Sequence, residues 1–183
     1  MKHPSSQAIL LVDGYNIIGA WPNLVSLRDG QGLAAAREHL AESLANYSAH
    51  QEYETWLVFD AYGQSRPKHT EPVTQNLSLH YTASGQTADT YIEIACAKFR
   101  TDARKFRHRL IVATSDRAQQ LTVVGYGAEW MSALQLANEV IDTGQRIRQR
   151  QKPAKKSQSR FLASGLSPEM QAKLTKLRMG LTD

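Results

Sequence analysis

Three aspartates in this sequence each follow a short run of apolar residues. Asp13 follows residues 9–12, Asp60 follows residues 56–59, and Asp116 comes shortly after residues 110–113. Such runs are typical of strands that are buried on both faces of a parallel sheet. In open α/β sheets, ligands bind beyond the carboxyl ends of the strands. We therefore expect these three carboxylates to lie together at one edge of the sheet.

A fourth aspartate, Asp89, lies at the predicted start of a helix. Gly85 ends the preceding strand, Thr87 is a suitable N-cap, and an apolar helical pattern follows. Local explanations exist for these acids. The helix dipole favours Asp89 in a first turn, and Asp13 with Asn16 could satisfy the backbone of an ordinary strand-to-loop turn. The occurrence of four acids at converging positions favours a functional site.

Carboxylates a few ångströms apart repel one another and raise each other's pKa unless a cation lies among them. The predicted metal ligands are Asp13, Asp60, Asp89 and Asp116. Asn16 and Glu93 are expected nearby, and the absence of a His/Cys cluster favours Mg²⁺ or Mn²⁺ over zinc. A bound divalent ion can polarise a phosphodiester and activate water, so the pattern predicts phosphodiester hydrolysis. Neither a Walker-type phosphate loop nor a nucleophile elbow occurs in the sequence.

The order of the predicted elements indicates the fold class. Strands are expected at residues 9–12, 56–59, 77–81, 110–113 and about 128–131, and helices at 33–50, from 88 and from 133. This order predicts a three-layer α/β domain with a mainly parallel sheet. We expect the domain to span residues 1–150. A basic linker and a short amphipathic C-terminal segment are expected over residues 151–183.

The segments between these elements carry three further expectations. Gly14 is expected to turn the backbone sharply after the first strand, and residues 19–23 to form a loop. Trp21 either packs on the core beneath that loop or offers a stacking face to a base. Residues 62–74 are rich in Gly, Pro and basic residues, so an exposed, mobile loop is expected beside the acids.

The single cysteine and the absence of a long apolar run indicate a cytoplasmic protein. The single cysteine, Cys96, lies in an apolar helical pattern and is expected to be buried in a reducing compartment. His80 and His108 each stand alone, and we expect them to be structural or at the surface. No apolar run approaches the ~18 residues of a membrane span, so no membrane contact is expected.

Positive charge is concentrated in the C-terminal part of the chain. The net charge is +5, and residues 145–183 carry ten Lys and Arg against two acids, which leaves the first 144 residues at −3. A basic extension on a mildly acidic domain favours a nucleic-acid partner, although a solvated tail without a partner is the alternative. The residues expected to contact nucleic-acid phosphates are Arg66, Lys68, Lys98, Arg100, Arg104, Lys105, Arg107, Arg109, Lys152, Lys155 and Lys156.

Residues 11–22 (LVDGYNIIGAWP), with residues 58–61, 87–89 and 113–116, closely resemble the NYN domain in its YacP-like branch. The resemblance covers residues 8 to about 150, is most specific in the Asp-Gly-Tyr-Asn block, and does not extend to the tail. That branch is related to PIN-domain nucleases, and its characterised bacterial members are ribosome-associated endoribonucleases. The resemblance implies a PIN-like fold, metal-assisted RNA cleavage and recruitment to translating ribosomes.

The resemblance also implies roles for individual residues. Asp13 and Asp89 match the strongest catalytic positions, and Asp60, Asp116 and Asn16 match metal-binding or water-positioning residues. Our leading hypothesis is a cytoplasmic endoribonuclease that binds RNA through its basic segments and cuts it at the acidic edge. An RNA- or ribosome-binding module with little or no activity is the main alternative, and a phosphohydrolase acting on small nucleotides is a third.

Overall fold

The chain folds around a six-stranded sheet. The structure is a computed structural model that describes residues 7–60 and 68–151. In those residues the strands are β1 (Ala8–Asp13), β2 (Tyr53–Phe59), β3 (His69–Pro72), β4 (Leu77–Tyr81), β5 (Arg109–Ala113) and β6 (Glu129–Met131). Their order across the sheet is β3-β4-β2-β1-β5-β6. β3 runs antiparallel to β4, and the other neighbouring strands run parallel.

Helices cover both faces of the sheet. They are α1 (Gly14–Ala20), α2 (Pro22–Gln31), α3 (Leu33–Gln51), α4 (Ala88–Thr101), α5 (Arg117–Gly125) and α6 (Ala133–Gln151), with a 3-10 turn over Ala103–Phe106. One apolar cluster lies between the sheet and α1, α2, α3 and the start of α6. A second cluster lies between the opposite face and α4 and α5. The prediction of a three-layer α/β fold with a mainly parallel sheet is therefore confirmed.

β1 lies in the middle of the sheet, between β2 and β5, and all six of its residues are buried. Leu10 and Val12 face the first cluster, whereas Ile9 and Leu11 face the second. A strand that is apolar on both sides can sit only where helices cover both faces. Asp13, the last residue of β1, is therefore carried into the carboxyl edge on a rigid support.

The segment after β1 differs from the sequence prediction. Residues 19–23 do not form a loop, because α1 and α2 are separated by Trp21 alone. The proline that follows Trp21 is compatible with the first position of a helix, where no backbone N–H is needed. Trp21 is 5% exposed, and its indole Nε1–H donates to the Ala133 carbonyl at 2.8 Å. The core alternative for Trp21 is confirmed.

Gly14 is needed for a reason other than the predicted sharp turn. It begins α1 directly, and the glycines with positive φ in the described residues are Gly32, Gly85 and Gly127. A Cβ on Gly14 would lie 2.6 Å from Cδ1 and 2.8 Å from Cζ of Phe59. The absent side chain lets the start of α1 approach the end of β2.

One further prediction from the sequence was wrong, and one helix was not predicted. Residues 69–72, expected in a loop, form β3 on the edge of the sheet, and residues 61–67 lie outside the described residues. Helix α5 was not predicted, because its buried face includes the polar Gln119, whereas Leu121 and Val124 are exposed. The apolar spacing that signals a helix is therefore missing from this segment.

The chain divides into two compact units, residues 1–145 and residues 146–183. All of the candidate site described below belongs to the first unit. In the second unit, the described residues 146–151 are helical and include Arg146, Arg148 and Arg150. The described residues contain no helix long and apolar enough to cross a membrane.

Candidate active site

Aspartates cap three helices that begin at the carboxyl edge of the sheet. Asp13 Oδ1 accepts a hydrogen bond from the Asn16 backbone N–H at 3.1 Å at the start of α1. Asp116 Oδ1 accepts from two backbone N–H groups in the first turn of α5, at 2.7 and 3.2 Å. Asp60 Oδ1 accepts from the Ala88 N–H at the start of α4. Because a helix N-terminus presents unpaired N–H groups and a positive dipole end, these carboxylates are held by the fold itself.

The fourth aspartate, Asp89, lies in the first turn of α4 and faces Asp13. The two carboxyl groups hydrogen-bond to each other, which requires a proton between them. Burial raises the pKa of Asp13 to about 7; the Asn16 N–H opposes this shift, and the charges of Asp89 and Asp60 add to it. Asp13 is only 7% exposed. Asp13 therefore loses its proton near neutral pH and not in the acidic range of an ordinary aspartate.

Repulsion extends over the whole acidic edge. The pKa of Asp89 is raised first by burial and then by the charges of Asp116 and Asp60, with Glu93 one helical turn away adding to the effect. The structure thus brings Asp13 and Asp89 into direct contact and places Asp60 and Asp116 within electrostatic reach of Asp89. Of the four aspartates expected to lie together, two are hydrogen-bonded to each other, and the other two lie within electrostatic reach of Asp89.

Asn16 ties the end of β1 to the segment after β5. Its side-chain Oδ1 accepts hydrogen bonds from the Ser115 backbone N–H at 2.6 Å and from the Ser115 hydroxyl at 2.8 Å. The carbonyl oxygen that could have bound a metal is therefore already used by Ser115. This geometry fits a residue that positions the loop carrying Asp116.

Gln119 belongs to the site although the sequence analysis did not select it. It is 3% exposed on α5, and its Nε2 donates to Asp89 Oδ1 at 2.5 Å. Its other side-chain atom, Oε1, is buried and has no hydrogen-bond partner among the described residues. A buried acceptor left unpaired is costly, so it indicates a position where a water or ligand donates.

The donor set fits a hydrated magnesium-type ion better than a fully enclosed metal. No three Asp, Glu, His or Cys side chains in the described part of the chain are placed to hold one ion together. Mg²⁺, however, keeps several waters and is usually bound through one or two carboxylates with substrate phosphates. Asp13 and Asp89 supply such a pair, and the unpaired Gln119 Oε1 could accept a hydrogen bond from a metal-bound water. Asp60 and Asp116 each spend one oxygen on a helix cap.

The described basic residues lie mostly away from the acids. Arg109 pairs with Ala8 at the start of β1, whereas Asp13 ends that strand, so the 98–109 segment reaches the opposite end of the sheet. All the predicted RNA contacts in this segment are exposed, and they are Lys98, Arg100, Arg104, Lys105, Arg107 and Arg109. Arg109 forms a bidentate pair with Glu129, at 2.7 and 2.5 Å, that joins β5 to β6.

Other predicted RNA contacts have different positions. Lys68 is exposed, with its Nζ 4.5 Å from the centroid of the Tyr91 ring. Arg66 and the three tail lysines, Lys152, Lys155 and Lys156, lie outside the described residues.

The isolated histidines and the cysteine take structural or surface positions. His80 is buried, hydrogen-bonded to Ser78 and Tyr91, and stacked on Trp56. His108 is half-buried and contacts the Arg104 carbonyl at 3.3 Å. Cys96 is 1% exposed, and burial raises its thiol pKa to about 12. These three predictions are confirmed.

A family model, a protein sequence and two crystal structures that are similar to this chain all belong to YacP-like proteins. The model of the YacP-like NYN domain matches residues 10–179. The uncharacterised protein YacP of Bacillus subtilis (strain 168) is 34% identical over 142 residues, which are 78% of this chain and 80% of that protein. The crystal structure of Rae1 (YacP) from Bacillus subtilis is 32% identical, with a TM-score of 0.64 over 94% of this chain and 95% of that one. A point mutant of Rae1 gives 34% identity and a TM-score of 0.63, covering 78% and 79% of the two chains.

The extent of the match corrects one expectation. The resemblance was expected to end near residue 150, but the family model continues to residue 179. The expected boundary was too early because the polar, basic tail has little apolar periodicity, and this periodicity is the main signal for assigning a sequence segment to a fold. Most of the tail therefore belongs to the pattern that this chain shares with its relatives.

Proposed function

The chain belongs to the YacP-like NYN domain family and has a PIN-like nuclease fold, and on this premise we propose that it is a metal-assisted endoribonuclease. The observation that carries the proposal is the contact between Asp13 and Asp89 at the carboxyl edge of a parallel sheet. Two acids held together, one buried and one half-buried, repel each other when both are charged unless a cation lies between them. Carboxyl groups whose pKa is strongly perturbed in this way are typical of functional sites.

The reaction is hydrolysis of an RNA phosphodiester bond. A water oxygen bonds to phosphorus, the bond from phosphorus to the leaving oxygen breaks, one proton leaves the water and one is gained by the leaving oxygen. A divalent ion at this site would supply a Lewis acid for the phosphate and a lowered pKa for bound water. Asp13 and Asp89 would hold that ion, with Asp60 and Asp116 adding negative charge around it.

The other residues of the site orient this pair. Gln119 fixes one oxygen of Asp89, and its Oε1 is available to hold a water beside the carboxylates. Asn16 holds Ser115 and thereby the segment that carries Asp116. In this proposal, neutral side chains orient the site, and the carboxylates supply the negative charge that would hold the ion.

Substitution of the two contacting acids tests the proposal. Asp13→Asn and Asp89→Asn should each lower RNA cleavage by about 10²-fold or more, because each removes a charge that the site needs. The exposed Asp142 on α6 provides the control, and Asp142→Asn should leave the rate unchanged. Full cleavage by the Asp13→Asn, Asp89→Asn double variant would refute the assignment.

The raised pKa of Asp13 allows a loss of activity in Asp13→Asn to be distinguished from a loss of folding. Because the pKa of Asp13 is raised from 3.8 to about 7 in the folded state, its contribution to stability is fully present below pH 3.8 and is lost as the pH rises through about 7. At pH 8 in the presence of a chelator, Asp13→Asn should therefore be at least as stable as the wild type. A loss of cleavage in this variant then reports on chemistry and not on unfolding.

One observation favours a second candidate, an RNA- or ribosome-binding module with little or no activity. The described residues contain no group of three metal-binding side chains, so the ion would have to be held by two carboxylates and by the RNA. Calorimetric titration with Mn²⁺ separates the two candidates. We expect binding to the wild type that strengthens with a non-cleavable RNA analogue and is lost in Asp89→Asn. RNA binding without metal uptake or turnover would favour the module.

We further infer that the physiological substrate is mRNA at the ribosome, in the cytoplasm. This inference rests on the family resemblance and on the basic C-terminal segment. Defined mRNAs should be cleaved faster when ribosome-bound than when free, and the difference should disappear after the ribosomes are dissociated. Equal cleavage of free and ribosome-bound RNA would contradict the inference and leave the nuclease proposal intact.

A further inference from the structure

A cleft of about 230 Å³ runs along one side of α4, away from the acidic pair. Its floor is apolar and consists of Ile9 and Leu11 of β1 with Leu110 of β5. Its walls include Trp56 of β2 and the α4 residues that share one face of the helix. The wall residues on α4 are Tyr91, Ile94, Ala95, Lys98 and Phe99.

The aromatic walls of this cleft are rigidly held. The Trp56 indole Nε1–H donates to Glu54 at 2.9 Å, and one face of its ring stacks on His80 with centroids 4.9 Å apart. The Tyr91 hydroxyl hydrogen-bonds to His80 Nδ1 at 2.8 Å. Fixed aromatic rings lose little conformational entropy when a flat ligand stacks on them.

The rim of the cleft is positively charged. Lys68, Lys98 and Arg104 line it, with Asp102 as the acid among the lining residues. Arg104 already neutralises Asp102, since its Nε lies 2.9 Å from the carboxylate. Lys68 lies over the Tyr91 ring and Lys98 is exposed on α4, so two cations remain for a ligand. An uncharged apolar ligand would form no ionic contact with these two lysines, so the rim favours an anionic ligand.

The combination of flat aromatic walls, an apolar floor and a cationic rim is typical of a site for unstacked nucleotides. Helix α4 also connects this cleft to the acids. Asp89 lies in its first turn, and Lys98 follows nine residues later, which at 1.5 Å per residue is about 13 Å along the axis. The same nine residues turn by about 180° around the axis, so one RNA strand that occupies the cleft would have to cross α4 to reach the acidic pair.

We propose that this cleft binds a single unstacked nucleotide of the RNA, with its base between Trp56 and the α4 wall and its phosphate at Lys68 and Lys98. The identity of the polymer rests on the proposed nuclease function, whereas the nucleotide specificity of the cleft rests on its own residues. The site would hold the RNA strand at a distance from the cleavage point and set its path across α4.

The first experiment measures nucleotide binding directly by NMR. The Trp56 indole N–H signal, assigned with a Trp56→Phe variant, is followed as 5′-nucleoside monophosphates or the matching nucleosides are added to the full-length protein. We expect the monophosphates to shift this signal and to bind about tenfold more tightly than the nucleosides. Lys98→Gln should reduce that difference, and Arg28→Gln, on α2 outside the cleft, should preserve it.

The second experiment fills the cleft with a larger side chain and measures the kinetics of RNA cleavage. Ala95→Phe should raise the KM for cleavage of a short single-stranded RNA about tenfold with little change in kcat, because the chemistry lies elsewhere. Ala97→Phe, on the same helix but outside the lining, is the control, and thermal melts verify the folding of both. A short RNA should also compete with the monophosphate for the Trp56 signal.

The outcomes separate the two proposals. An unmoved Trp56 signal, equal binding of nucleosides and nucleotides, or an Ala95→Phe variant that binds nucleotides as the wild type does would each overturn the cleft assignment. Nucleotide binding without competition by RNA would overturn its role in holding the strand. Nucleotide binding and RNA competition in a protein that cleaves no RNA would refute the nuclease proposal and support the cleft.

Discussion

At the residue scale, the site depends on one unfavourable contact, between the carboxyl groups of Asp13 and Asp89. The types of these residues and their positions at a strand end and a helix start are visible in the sequence. Their contact is not visible there, because it depends on how α4 packs against β1. The groups that hold the pair are the Asn16 backbone N–H, which donates to Asp13, and the Gln119 side-chain amide, which donates to Asp89. Neither has a distinctive chemistry of its own.

We predict that Gln119 positions Asp89. Gln119→Leu should lower RNA cleavage by roughly 10–100-fold and raise the Mg²⁺ concentration needed for activity, as expected when a residue that orients a metal ligand is lost. The free energy of unfolding should change by less than about 1 kcal/mol, because leucine also removes the buried unpaired carbonyl oxygen. The neighbouring Gln120→Leu is the matched control, and an unaltered metal requirement in Gln119→Leu would argue against the role.

We predict that Gly14 is required for packing. Gly14→Ala should lower the free energy of unfolding by roughly 1–3 kcal/mol, because the new methyl group would overlap the Phe59 ring. On the same helix, a Cβ on Gly19 meets nothing within 4 Å, so Gly19→Ala should raise stability by about 0.5–1 kcal/mol. Urea unfolding measures both changes. A second substitution, Phe59→Leu, should partly rescue Gly14→Ala, and a failure to do so would place the strain elsewhere.

At the element scale, the sequence predicted the strands that end in acids and missed the helix that organises them. β1, β2, β4, β5, α3 and α4 have clear apolar periodicity, so their presence could be predicted. α5 buries Gln119 where a leucine would be expected, and this buried polar side chain removes the hydrophobic pattern that would predict the helix. A different signal was present. Asp116 followed three residues later by Gln119 is a capping pattern that marks a helix start.

A pH-dependent prediction concerns β4 and its contact with α4. Burial, with a smaller effect of Lys68, lowers the pKa of His80 from 6.5 to about 4. Its contribution to stability is therefore present above pH 6.5 and is lost as the pH falls towards 4, which amounts to roughly 3 kcal/mol. We expect the free energy of unfolding, measured with urea at pH 7 and pH 4.5, to include this loss in the wild type. The loss should be absent in His80→Gln.

The comparison must be made between variant and wild type at each pH. The buried Asp13 and the half-buried Asp89 have raised pKa values and stabilise the folded protein more as the pH falls over the same range. Their contribution is the same in the variant and the wild type and cancels in the difference. His39→Gln, at an exposed position on α3, is the control and should follow the wild type. A parallel pH dependence in His80→Gln and the wild type would show that His80 is protonated in the folded protein at acidic pH.

At the scale of the whole molecule, charge is separated along the fold. The acids lie at the carboxyl edge of the sheet, and the basic residues from Lys98 to Arg109 extend to its other end. The net charge and the basic segments could be predicted from the sequence, but this separation could not, since it follows from the direction of α4. If RNA is the substrate, as proposed, this separation predicts a binding surface much longer than the acidic site. Removal of a distant cation should then lower affinity and leave the chemical step unchanged.

The tail provides the last prediction. If Lys152, Lys155 and Lys156 contact RNA phosphates, the triple variant to glutamine should bind RNA more weakly and depend less on salt. For single strands, each phosphate contact contributes about 0.7 to the slope of log K against log salt concentration, so the slope should fall by roughly 2. The triple variant to arginine keeps the charge and should retain the wild-type slope, and kcat at saturating RNA should be unchanged in both. An unaltered slope in the glutamine variant would mean that these three lysines stay solvated while the RNA is bound, and that other cations supply the phosphate contacts.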